Sequence, residues 1–187
     1  TKAFVDEVYI PDLLAVASFY KNWGAIGGNN TTYLCYGDFP QAGINDNLLM
    51  PAGILLGDLN PKPVDTLKIT EDVTRGWYEK GGAKHPYDGE TKPIQGEVSY
   101  NTDAQYSWMK APRYDGKSAE VGPLARVLVA YTSGQKDVKA LVDHVLKTLG
   151  VGKEALFSTL GRTAARGIET VVVGNAMGGW IEKLKSN

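Results

Sequence analysis

Apolar side chains recur at helical spacing toward both ends of the chain and in short, broken runs through its middle. Over residues 4–23, Val8, Leu13, Val16, Phe19, Tyr20 and Trp23 fall largely at i, i+3 and i+4. This spacing predicts an N-terminal helix, with Pro11 starting or kinking a turn inside it and Gly24 ending it. Residues 31–100 read differently. TTYLCYGDFP, AGILLGDL and DTLKI are short apolar runs separated by Pro40, Pro51, Gly57, Pro61 and Pro63. They predict a small antiparallel β region with long connections. From Lys80 to Thr102, Gly and Pro are so frequent that few backbone donors remain for a ladder, and an ordered loop is expected.

Helical spacing returns after residue 119. Leu124, Val127, Leu128 and Tyr131 share one face of a helix over 120–131, with Pro123 in its first turn. Val138, Leu141, Val142, Val145, Leu146 and Leu149 form a stripe over 137–149 that Gly150 closes. A short helix is expected at 153–159, then a long one from about Thr159 to Lys185. The long helix carries Gly161, Gly167, Gly174, Gly178 and Gly179. Each glycine costs roughly 1 kcal/mol against alanine, so either a close neighbour or an interruption near Gly178–Gly179 is expected. The fold class is α+β, a helical bundle with a small antiparallel β-rich insertion. One domain is expected over 1–187, with residues 1–30 helical, 31–105 rich in β and loop, and 106–187 a loop followed by helices.

Composition narrows the function. The net charge is -1 in 187 residues, which speaks against nucleic acid or an anionic membrane as partner. The single cysteine, Cys35, excludes an internal disulfide and a cysteine-rich metal site built from this chain alone. No stretch approaches the roughly 18–20 apolar residues that span a bilayer. The opening TKAFVDEVYIPDLL lacks the pattern of a signal peptide. Because Thr1 falls inside a helical pattern, a processed or excised segment is expected.

Two polar segments are candidates for chemistry. In KHPYDGETKP, His85, Asp88 and Glu90 are possible metal ligands, but no second His or Cys stands at zinc spacing. A turn at Asp88–Gly89 with a structural hydrogen bond from His85 is the simpler reading. In YSWMKAPRYDGKSAEVGPLAR, Pro112 biases Ala111 toward extended backbone. Lys110 and Arg113 are then expected to project from a stiff strand. Glu120 is expected near a helix start, where the dipole favours a carboxylate. An Arg113–Glu120 or a Lys110–carboxylate ion pair would lock this corner. Arg162 and Arg166, with Glu169 three residues on, read as surface or interface ion pairing. Cys35 reads as a small buried hydrophobe.

Four segments, in order, resemble the large subunit of nickel–iron hydrogenases: NNTTYLCYGDFP, RGWYEKGGAKHPYDGETKP, YSWMKAPRYDGKSAEVGPLAR and GRTAARGIETVVVGNAMGGWIEKL. The resemblance covers nearly the whole chain. It implies a parent enzyme that splits H2 heterolytically at a nickel–iron centre carrying CO and cyanide, with a magnesium site nearby. It also implies electron transfer to an iron–sulfur small subunit and a periplasmic or membrane-associated location. The family holds its metals with two CxxC pairs, and this chain has neither. An interior fragment is therefore expected that binds no nickel–iron centre, shows no activity alone, and is poorly soluble or molten in isolation. A degenerate relative without metals is the alternative. The resemblance implies that Lys110 and Arg113, with Glu120 third, lie close to the buried magnesium-and-water site. It assigns no catalytic residue and no metal ligand here.

Overall fold

A computed structural model describes residues 2–28, 31–41, 48–79, 81–88 and 91–186. The chain opens with a continuous helical run: α1 (Lys2–Phe4), a π-helical turn (Val5–Tyr9) and α2 (Ile10–Phe19). Pro11 sits in the first turn of α2. The Ile10 N–H reaches back five residues to the Val5 carbonyl, so the wider π turn lets the helix pass the proline without a break. The α-helix stops at Phe19, earlier than Gly24. The Tyr20 N–H turns in to the Ala17 carbonyl at 3.1 Å, and Lys21–Ala25 continues as a 3-10 helix. The expected apolar stripe is not the buried face. Val8, Val16, Phe19, Tyr20 and Trp23 are exposed, while Val5 and Ala17 are buried. Apolar residues surround this helix on more than one side, so spacing alone does not choose the side that packs.

Three small antiparallel sheets follow. β1 (Thr32–Cys35) pairs with β4 (Gly53–Leu56), and β2 (Asp38–Pro40) pairs with β3 (Leu48–Met50). The third sheet has the order β6–β5–β7–β8, from β5 (Ile69–Asp72), β6 (Ala83–Lys84), β7 (Ala111–Tyr114) and β8 (Lys117–Ser118). The β region therefore extends past residue 105 into the segment read as loop. β7 is the strand that Pro112 favours, in register with β5 through Thr70 opposite Arg113. The loop between β6 and β7 is sewn to the connection between β5 and β6. Trp77 N–H donates to Ser107 O at 2.9 Å, Tyr106 N–H to Arg75 O at 3.0 Å, and Gln105 Nε2 to Gly76 O at 2.7 Å.

α3 (Pro123–Thr132) is the centre of the fold, with Leu124, Ala125 and Val127–Tyr131 all buried. It begins three residues after Glu120. Glu120 is still extended, because its N–H donates to Thr32 O at 2.8 Å and its carbonyl accepts from Leu34 N at 2.9 Å. α4 (Lys136–Leu149) is capped by the Gln135 side chain and closed by Gly150 in the left-handed conformation. A 3-10 turn (Lys153–Phe157) leads to α5 (Thr159–Lys185), whose N-cap is Ser158. The main core joins α3, α4 and α5 to Tyr33, Cys35, Met50 and Leu55 of the sheets.

α5 runs without interruption through Gly178–Gly179. Two of its glycines answer to close neighbours. A side chain at Gly161 would overlap the Leu156 and Ala155 carbonyls, and one at Gly167 would meet Leu13 of α2. Gly174, Gly178 and Gly179 face open space.

Candidate functional site

The polar chemistry is organised by the β5–β7 ladder and by α3 lying against α5. Neighbouring strand residues point to opposite faces, so Glu71 and Asp72 of β5 serve different sides. On one side Lys110 Nζ lies 2.9 Å from Glu71 Oε2. On the other, Arg113 Nη2 lies 3.2 Å from Asp72 Oδ2, and its Nη1 donates to Ser118 Oγ at 3.2 Å. The Asp72 carboxyl is held below the usual carboxylate range, first by the Thr74 N–H and hydroxyl and then by the Arg113 guanidinium.

Glu120 is bound elsewhere. Arg162 of α5 forms a two-point fork with it, Nε to Oε1 at 2.8 Å and Nη2 to Oε2 at 2.7 Å. The third Arg162 nitrogen donates to Gly27 O at 2.7 Å. Seven residues along α5 the polarity reverses. Glu169 receives a two-point fork from Arg126 of α3, with Nη2 to Oε2 at 2.9 Å, and Arg126 Nη1 also stands 3.6 Å from Asp38. These forks raise the basicity of both guanidiniums.

The expected Arg113–Glu120 pair is therefore absent: Arg113 takes Asp72, and Arg162 takes Glu120. Nor does Glu120 cap α3, because its carboxylate is committed to Arg162. The Lys110–carboxylate pair is present, with Glu71 as the acid. Arg166 does not join Glu169; it points outward and donates to the Arg162 carbonyl at 3.0 Å. Lys110, Arg113 and Glu120 thus sit in three separate ion pairs. Their partners Glu71, Asp72 and Arg162 complete the arrangement, and the first two carry no local mark in the sequence. The signal lay in the register: the acids of ITED stand across from the bases of KAPR once the strands pair.

A cleft of about 320 Å³, walled mostly by carbon, opens beside Lys110. Glu71, Asp38, Arg126 and Cys35 share its lining. Cys35 is 1% exposed. Burial pushes its thiol up to about 11, so it stays protonated at neutral pH.

His85 is occupied structurally. Its Nδ1 accepts from Tyr87 N–H at 3.2 Å, which leaves Nε2–H to donate to Thr66 O at 3.1 Å. Asp88 N–H closes a turn onto His85 O at 2.9 Å. Glu90 lies outside the described residues.

The family model for nickel-dependent hydrogenases matches residues 1–187. The uptake hydrogenase large subunit of Rhizobium leguminosarum bv. viciae is 41% identical over 98% of this chain and 35% of that protein. The hydrogenase-1 large chain of Escherichia coli (strain K12) is 36% identical over 100% of this chain and 35% of its own length. Among solved structures, the Ni-Fe-Se hydrogenase from D. vulgaris Hildenborough in the as-isolated oxidized state superposes with a TM-score of 0.74. It is 32% identical, covering 97% of this chain and 38% of that one. The chain spans about a third of the length of the curated relatives it matches.

Proposed function

Since the chain belongs to the nickel-dependent hydrogenase family, we propose that it is a scaffold portion of a hydrogenase large subunit. Such a protein splits H2 heterolytically and passes the electrons to an iron–sulfur small subunit. The observation that carries this reading is the match along all 187 residues, with relatives that are named hydrogenase large subunits. In that fold the 187 residues act as one unit. The nickel–iron centre, with its CO and cyanide ligands, supplies the H2 chemistry when bound.

The donors of this chain do not fit that centre. A nickel–iron site calls for soft thiolates. The one cysteine here is buried and held protonated. Among the described residues no three His, Cys, Asp or Glu side chains are grouped to hold a metal. The chain alone is therefore inactive, and the metal ligands belong to other parts of the large subunit. No helix among the described residues is long and apolar enough to cross a membrane. The relatives named uptake hydrogenases support a periplasmic or membrane-associated location.

Within the scaffold, Lys110 is a positioning residue. Its ammonium lies 2.9 Å from Glu71 at the edge of the cleft, where it would orient carboxylates and water beside a magnesium site completed by the rest of the large subunit. Arg113 and Glu120 act one step further out, by fixing β7 through Asp72 and the strand before α3 through Arg162. The test is Lys110→Met in the hydrogenase that carries this chain. We expect H2 turnover to fall about tenfold or more and magnesium content to drop, with nickel retained. Unchanged turnover and unchanged magnesium would overturn the role of Lys110. A parent that takes up no nickel and shows no H2 turnover would instead favour a degenerate relative.

A further inference from the structure

Next to the cleft, and sharing Lys110 and Pro112 with it, lies a second cavity, of about 300 Å³. Its charged lining consists of Asp72, Arg75, Lys110 and Arg113, so cations outnumber anions. Asp72 is matched by Arg113, and Lys110 by Glu71. Arg75 has no carboxylate partner among the described residues. Its Nη1 donates to the carbonyls of Asp103 and Ala104, which fix the guanidinium in place without neutralising it. Ser107 Oγ accepts from Met109 N–H at 2.9 Å and keeps its own hydrogen for a further acceptor. The remaining walls are largely carbon, from Tyr106, Met109 and Pro112. An excess of cations between low-dielectric walls concentrates positive potential inside a cleft and draws anions into it.

We propose that this cavity binds a small oxyanion, either a carboxylate or an inorganic phosphate or sulfate, with Arg75 as its principal anchor. A planar fork with fixed orientation suits the paired oxygens of such a group better than a mobile ammonium does. Lys110 and Arg113 supply flanking charge, and the Ser107 hydroxyl a neutral donor. The site is independent of the hydrogenase reading, since it rests on residues of this chain alone.

The test is calorimetric titration of the purified hydrogenase that carries this chain with sodium phosphate and, separately, sodium acetate. Ionic strength is held constant with sodium chloride. Saturable binding of at least one anion is expected. Tighter phosphate identifies a tetrahedral dianion as the natural class, and equal or tighter acetate a carboxylate. Arg75→Gln should weaken binding at least tenfold, the loss of one charge-assisted fork. Arg75→Lys should retain part of it. Arg75 is exposed and makes only carbonyl contacts, so both variants should keep the parent circular dichroism spectrum. No saturable binding of either anion overturns the proposal. So does an unchanged affinity in Arg75→Gln, or an equal loss in the distant control Lys147→Gln.

Discussion

The fork between Arg126 and Glu169 controls access to the one thiol of the chain, and that makes its strength measurable. Cys35 borders the cleft but is only 1% exposed and packs in the main core against α3, so full access of a reagent to its sulfur requires α3 to lift from β1. Arg126 ties α3 both to α5 and to Asp38 of β2. Arg126→Met removes the cation and leaves the Glu169 carboxylate, whose side chain is only 13% exposed, without its partner. Stripping one member from a fully buried ion pair costs about 3–5 kcal/mol. With the Arg126 side chain 24% exposed, water screens part of that, and about 2 kcal/mol is the working figure. Every 1.4 kcal/mol is tenfold in the opening equilibrium, so Cys35 should react roughly thirty times faster with a disulfide reagent at pH 8. Loss of the nearby cation also raises the native thiol pKa, which slows any reaction without opening; a faster rate therefore reports opening. Arg126→Met with Glu169→Gln should recover part of the loss, because no orphan charge remains. Lys139→Met, which breaks an exposed pair with Asp143, should leave the rate unchanged. A rate for Arg126→Met within about threefold of the parent would refute the reasoning.

Other consequences can be checked directly. Cys35 holds a thiol pKa of about 11 when folded, raised by burial. Its stabilising contribution is whole below the unfolded value and is lost as pH climbs through the folded one, up to about 2–3 kcal/mol between roughly pH 9 and pH 11. Urea unfolding of Cys35→Ala should show a shallower alkaline decline than the parent, with some slope remaining because the Tyr33 pKa is also raised by burial. Gly178 has open space where a side chain would stand, so Gly178→Ala should raise stability by about 0.5–1 kcal/mol. Gly161→Ala drives a methyl into the Leu156 carbonyl and should cost about 1–3 kcal/mol, read from the same urea curves. Phe19, Met109 and Leu184 are each largely exposed, so the isolated chain should bind anilinonaphthalene sulfonate. Hydrogen exchange should still find α3 the slowest segment, and rapid exchange throughout α3 would contradict its central place.

How much of this was legible in the sequence depended on how local the signal was. α4 was readable almost to the residue, because its stripe, its Gly150 stop and its polar side agree. The strand at Ala111–Tyr114 followed from Pro112 acting on its neighbour. The N-terminal helix misled, since its apolar residues lie on several sides and packing alone selects Val5 and Ala17. The start of α3 was placed early because Glu120 fits a helical pattern, yet its backbone is claimed by β1 across 88 positions of sequence. The ion pairs were least legible. Glu71 and Lys110 are 39 residues apart, and Arg126 and Glu169 are 43 apart. Only the strand register and the α3–α5 packing bring them together. Cys35 was read rightly as a core side chain, whereas the glycines of α5 proved to have separate causes at Gly161 and Gly167.

We propose that these residues form a scaffold able to seat hydrogenase chemistry supplied from elsewhere. That role is tested most directly by grafting the chain in place of the matching segment of the Escherichia coli hydrogenase-1 large chain. The purified graft is then assayed for nickel content and for HD formation from H2 in D2O. Nickel incorporation and HD formation are expected, with Lys110→Met reducing the rate about tenfold while nickel stays bound. A soluble graft that takes up no nickel, or that holds nickel and forms no HD, would contradict it.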